Sequence, residues 1–248
     1  MRLKLIGCEI LFRELCAAIA RSGNRVDVEF LPKGLHDVGK EEMRQSLQEA
    51  VDRVDASQYE VILLGYALCG NGMAGLTARS IPLVIPRAHD CIALLMGSHE
   101  RYQEYFENHP GVYFRSIGWV ERGQNLEQLS LETTRKTSGV GGSLEELIAR
   151  YGEENGRYLY EEFTRYTRSY RQLTFIETGL EPDKSFERQA REEAARRGWR
   201  FEKIRGDLGL FERLLAGRWN EQEFLVVPPG WRVAARYDED IMVAEPPS

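Results

Sequence analysis

Several features that would settle the class of this chain at once are missing. No apolar run in its 248 residues approaches the roughly 18 needed to cross a membrane as a helix. The net charge of −6 is spread without an acidic block or a basic stripe, so neither nucleic acid nor an anionic membrane is an expected partner. The arginines at Arg188, Arg191, Arg196 and Arg197 alternate with glutamates, as on a solvated helix face. There is no Cys-x-x-Cys pair, so the compact knuckle of zinc ribbons is excluded. The opening MRLKLIGCEIL carries charges within its apolar run and lacks a small-residue cleavage site. It reads as a first strand rather than a signal peptide. With nothing to mark export, four cysteines in a reducing cytoplasm point to metal binding or catalysis rather than disulfides.

What is present is a repeating alternation. Segments rich in Val, Ile and Leu are followed by long segments of helical period, the pattern of mostly parallel sheets with helices on both faces, an α/β fold. Strands are expected near Leu3–Ile6, Val26–Phe30, Val61–Leu64, Pro82–Ile85 and Val112–Arg115. Helices are expected over Ile10–Ser22, Lys40–Val54 and Cys91–Asn108, with a short one near Gly72. The second half restarts with strands at Leu173–Glu177, Phe201–Ile204 and Glu223–Val227, alternating with helices at Asp183–Arg197 and Leu208–Ala216. Two similar βαβαβ lobes follow: residues 1–125, and 143–248 with a long helix from Ser143 to Tyr170 opened by a Ser143–Glu146 capping box. The polar, glycine-rich stretch 126–142 reads as a linker or mobile loop. The aromatics of the long helix, Tyr151 to Tyr170, read as packing between lobes.

Ligands of open parallel sheets bind beyond the carboxyl ends of the strands. Those ends are chemically unusual here. The first strand leaves into Cys8 and Glu9, the second through Lys33 and His36, the third into Tyr66, Cys69, Gly70, Asn71 and Gly72, and the fourth into Arg87, His89, Asp90 and Cys91. Thiolate and imidazole suit zinc or iron, so Cys8, Cys69, His89 and Cys91 form a candidate metal set. In an extended segment His89 and Cys91 point to the same side. Gly70, Asn71 and Gly72 permit left-handed backbone and can present amides to an anionic ligand, though without a P-loop lysine. Glu9, Tyr66, Arg87 and Asp90 are candidates for proton transfer, substrate pairing or orientation of ligands. Cys16 falls on the apolar face of the first helix and reads as core; His99 and His109 read as solvated, and His36 stands open between a turn and a site.

The strings GCEIL, PKGLHD, LGYALCGNGMAGL and IPRAHDCIALLMGS, with GDLGLFERLLAGRW and EFLVVPPG later, resemble the family known as domain of unknown function 1638 over nearly the whole chain. The resemblance brings no established activity. It implies that Cys8, Cys69, His89 and Cys91 lie in signature segments, and it suggests the company of corrinoid-dependent methyltransferases. The donor set is similar in kind to that of zinc thiol methyltransferases, which differ in fold and in ligand order. The expectation is therefore a cytoplasmic metal-binding protein with a small-molecule ligand, thiol or anionic. Zn2+ serves methyl transfer or a corrinoid-linked accessory role. The alternatives are a [4Fe–4S] cluster on three cysteines, and a non-catalytic binding protein with a structural metal.

Overall fold

Leu3, Leu5 and Ile6 of the first strand are wholly buried, and the chain around them builds the centre of the larger sheet. The computed structural model describes residues 1–36, 39–122, 144–236, 238 and 240–247. Strands β1 (Arg2–Cys8), β2 (Arg25–Leu31), β3 (Val61–Gly65) and β4 (Leu83–Pro86) pair in parallel in the order β2-β1-β3-β4. The 3-10 turn Glu9–Leu11 and helix α1 (Phe12–Arg21) follow β1; helix α2 (Lys40–Asp52) precedes β3. All five residues of β3 and all four of β4 are buried, as parallel strands covered on both faces should be. The fold is α/β, as expected.

One continuous helix was expected over Cys91–Asn108. The chain instead makes α3 (Cys91–Met96) and α4 (His99–Asn108), because Gly97 adopts a left-handed cap and Ser98 restarts the helix by accepting from the Arg101 amide. The expected long helix from Ser143 is likewise two, α6 (Leu144–Tyr151) and α7 (Glu153–Arg168), parted at left-handed Gly152. Ser143, the Glu146 side chain and the whole 126–142 stretch lie outside the described residues. Tyr158 of the expected interlobe aromatics is 63% exposed, while Tyr170 packs edge-on against Tyr113. No helix forms near Gly72; residues 69–75 run in turns.

The sheets do not divide at the expected boundary. Strand β5 (Val112–Ser116), expected in the first lobe, pairs in parallel with β6 (Gln172–Glu177), which pairs with β7 (Arg200–Arg205). Strand β8 (Phe224–Val227), expected in the second lobe, returns to the first sheet antiparallel to β4. The physical reason is the edge: β4 is buried throughout, and its outer backbone groups need a partner that β8 supplies from Leu83↔Val227 to Pro86↔Phe224. Helix α9 (Gly209–Ala216) accompanies it, burying Leu210, Phe211, Leu214 and Leu215 with Leu11, Leu15 and Ala18. The opposite face buries Met43 and Leu47 of α2 with Val233 and Met242 from the unanticipated hairpin β9 (Arg232–Ala235) and β10 (Met242–Glu245). A small separate cluster, Leu173, Phe175, Ala190 and Ala194, joins helix α8 (Ser185–Arg197) to the second sheet. Among the described residues no helix is long and apolar enough to cross a membrane.

Candidate functional site

Three strand ends of the first sheet meet at sulfur. Cys8 ends β1. Cys69 is held by continuation of the β3–β4 pairing, its amide donating to the His89 carbonyl at 2.9 Å after Leu68 has donated to Ala88 at 2.9 Å. Cys91 opens α3. Cys8 and Cys91 are buried and Cys69 is partly so. A charge on Cys8 would raise the pKa of both other thiols, and one on Cys69 that of Cys91, which makes the three near neighbours. Burial pushes Cys8 up to about 11, and the charge of Glu9 adds to it. Burial also raises Cys69 and Cys91, with the neighbouring charges second. Unaided, these groups are neutral thiols.

Neighbouring groups nonetheless favour the thiolate: the Ile10 amide and Tyr66 pull the Cys8 pKa down, the Ala67 amide that of Cys69 and Trp119 that of Cys91. Tyr66 is 1% exposed, and its hydroxyl finds no hydrogen-bond partner among the described residues, sulfur included. Lys33, 8% exposed, lowers the Cys8 pKa through space and lies with Nζ 5.6 Å from the Trp119 ring centroid. Trp119 arrives on the short helix α5 (Ile117–Glu121) from the other sheet. Gly118 makes that approach possible: a Cβ there would stand 1.6 Å from the Ile10 carbonyl oxygen. No side chain but hydrogen fits.

His89 does not join the cysteines. Its ring lies 5.1 Å from that of His99, beside a second cavity of about 410 Å³ that Glu107 and Asp238 also line. Partial burial, then the His99 charge, lowers its pKa. The same-side argument fails because Asp90 caps a helix: its carboxylate accepts from the Ile92 and Ala93 amides, so the chain is no longer extended at Cys91. Among the described residues, no group of three or more His, Cys, Asp or Glu side chains stands in a metal-holding arrangement.

The other candidates are largely committed to the scaffold. Arg87 donates to the Glu221 carbonyl at 2.8 Å and to those of Asp240 and Met242, tying the C-terminal hairpin down. Glu9 accepts from the Lys33 amide at 2.7 Å and so holds the 3-10 turn Lys33–His36 against the end of β1. Asp90 also accepts from the Tyr102 hydroxyl at 2.9 Å. Cys69, Gly70 and Asn71 are three successive left-handed residues, and a Cβ on Gly72 would meet the Met43 sulfur at 2.4 Å. Gly70, Gly72 and Gly75 have the Gly-x-Gly-x-x-Gly spacing. The chain continues in turns instead of entering a helix, so the dinucleotide fingerprint lacks its context. Cys16 sits half-buried on α1, away from the cluster. The side chain of His36 lies outside the described residues.

Beside the cysteines opens a cavity of about 380 Å³. Its lining includes Cys69, Gly70, Asp90 and Cys91, Lys40 and Met43, and the aromatics Tyr102, Phe106, Tyr113, Phe114, Trp119 and Tyr170. Sequence reasoning missed these aromatics because they come from α4 and from the second sheet, brought here only by the rearranged strand order.

The family model described as Protein of unknown function (DUF1638) matches residues 30–215. The chain belongs to this family. That match spans Cys69, Cys91, Asp90 and the aromatic wall, though it begins after Cys8. No curated protein and no solved structure matches the chain.

Proposed function

We propose that this DUF1638 protein carries a metal centre on Cys8, Cys69 and Cys91 and presents it to a small molecule held in the adjoining cavity. The observation that carries the reading is the donor set. Three thiols, two buried and one partly so, come from the ends of three neighbouring parallel strands, where Ile10, Tyr66, Ala67 and Trp119 favour the anion while burial keeps it protonated. A metal cation resolves that conflict, because it binds thiolates and releases their protons. Zinc in such a site supplies Lewis acidity, lowering the pKa of a substrate thiol and holding it for methyl transfer. The chain's own groups then have plain tasks: Tyr66 and Trp119 orient two of the sulfurs, Lys33 offsets their charge, and the aromatic wall excludes water.

A [4Fe–4S] cluster is the second reading, and one observation favours it. With His89 turned toward His99, three cysteines remain, which leaves one iron open. A cluster of four irons also spans a wider set of sulfurs than zinc does, with its bonds of about 2.3 Å. Either reading belongs in a reducing cytoplasm, where thiols persist. An accessory place beside corrinoid-dependent methyl transfer is part of the proposal and rests on the company of the family alone.

The test is metal, sulfide and the visible spectrum of protein purified without oxygen, beside Cys91→Ser and Cys16→Ser. About one zinc, or four irons with sulfide, lost in Cys91→Ser and kept in Cys16→Ser, supports the centre. Absence of metal from the unaltered protein overturns it.

A further inference from the structure

The aromatic cavity has a chemistry of its own, which narrows what it accepts. Its volume of about 380 Å³ lies at the small end of ligand pockets, the size of one or two fused rings with a substituent. Ring faces make up much of the wall. Tyr102 lies 6.2 Å from Phe114 and 5.8 Å from Phe106, which is 48% exposed at the rim; Tyr113 and Tyr170 meet edge to face at 5.5 Å. Such walls favour a flat, polarisable body that can stack or meet them edge-on.

Charge decides what the body carries. An aromatic wall also suits a cation, provided a carboxylate stands by to complete the cage. Asp90, the carboxylate among the described lining residues, has its Oδ1 taken by the Ile92 and Ala93 amides and its Oδ2 by the Tyr102 hydroxyl. Lys40 lines the cavity, and Lys33 lies behind Trp119 with its ammonium 5.6 Å from that ring. Among the described residues the cavity is thus apolar in body, with Asp90 engaged by its helix cap and by Tyr102 and with Lys40 the charged side chain left to meet a ligand.

We infer that the cavity between the cysteine-bearing strand ends and the second sheet binds a planar aromatic monoanion, its ring against Tyr102, Phe114 and Trp119 and its carboxylate toward Lys40. The inference rests on the reading of this cavity as the substrate site, and it names the substrate class. Cys69 and Cys91 then lie beside the bound ring, where the proposed metal would meet it.

Calorimetry on the protein as purified tests this with four probes: 2-naphthoate, cyclohexanecarboxylate, 2-naphthylmethanol and 2-naphthylmethylamine. 2-Naphthoate is expected to bind about tenfold or more tighter than the other three. Lys40→Gln removes most of its advantage over the neutral alcohol, and Phe114→Leu weakens it by roughly two- to tenfold, the worth of one aromatic contact. Thermal melts confirm that both variants fold. Tighter binding of the amine, equal binding of cyclohexanecarboxylate, or an unchanged affinity in Lys40→Gln would overturn the inference. Repeating the titration on Cys91→Ser separates the two claims. Naphthoate binding in protein without metal upholds the cavity's ligand class while the metal reading fails; a metal centre without naphthoate binding does the reverse.

Discussion

At the carboxyl edge of the first sheet, β1, β3 and β4 hand the chain to Cys8, Cys69 and Cys91. At the same edge of the second sheet, β6 and β7 hand it to Thr178 and Asp207, which serve docking. The Thr178 hydroxyl donates to Glu14 of α1 at 3.2 Å, the Asp207 amide donates to the Leu95 carbonyl at 2.9 Å, and Arg101 reaches the Arg205 carbonyl at 2.6 Å. Both edges obey the rule that functional groups gather where parallel strands end. Among the described residues, the first carries the three cysteines and the cavity that Cys69 and Cys91 line. A strand end is therefore a place where function is possible, and what the neighbouring layer does with it decides the outcome. The two edges meet in α5, whose Trp119 faces Cys91 and whose Glu121 accepts a bidentate pair from Arg13 at 2.6–3.0 Å.

Five substitutions probe this division, the most damaging first. Gly118→Ala strikes both edges at once, since its Cβ has no room against the Ile10 carbonyl; it should cost about 3 kcal/mol or more in urea unfolding. It should also make Cys91 reactive to a thiol reagent, and a thiol as protected as before would show that Trp119 does not guard it. Arg115→Ala strikes chiefly the second sheet, its tie to α5 being a 3.4 Å bond to the Trp119 carbonyl. It leaves Glu193 buried with only Arg197 in reach, a loss of about 3 kcal/mol. Metal content and thiol reactivity should not change, and if they do, the second sheet is part of the site.

Glu14 gives the joint a pH dependence. It is wholly buried, and burial, with the charges of Glu181 and Glu121 in addition, raises its pKa to about 7, against the partial relief of the Thr178 hydroxyl. An acid with a raised folded pKa holds its proton longer folded than unfolded. Its contribution is intact below the unfolded value and falls as pH rises, levelling off above 7, by up to about 3 kcal/mol. Melting curves of Glu14→Gln should lose that slope between pH 5 and 8; an identical slope would place the titration elsewhere. Asp90→Ala removes a helix cap and the anchor of Tyr102, costing about 1.5 kcal/mol, and should weaken cavity ligands. Smallest is Gly179→Ala at the second edge. Its φ of +80° is unfavourable for alanine by about 1 kcal/mol, but nothing obstructs the new methyl. Metal binding should be untouched.

The sequence was most legible where structure is local. The strands ending at Cys8, Cys69 and Cys91 follow from runs such as VILLG and LVIP, and the switch-point rule then brings the three cysteines to one edge. What escaped was decided by distant partners. Nothing within Val112–Ser116 says that it will pair with Gln172–Glu177, nor within Phe224–Val227 that it will close the first sheet, because exposed edges select partners about 60 residues away in the one case and about 140 in the other. The cavity's aromatic wall and Trp119 were invisible for the same reason. His89 was misplaced by a local cause, the Asp90 cap, which the string HDC contains but which counts only once Cys91 is known to begin a helix.

The most direct test of the central claim is X-ray absorption at the edge of whatever metal stays with anaerobically purified protein. The account predicts a first shell dominated by sulfur, with three thiolates at about 2.3 Å if the metal is zinc. A shell of nitrogen and oxygen alone, or a protein that holds no metal, would contradict it and leave the three cysteines as buried packing.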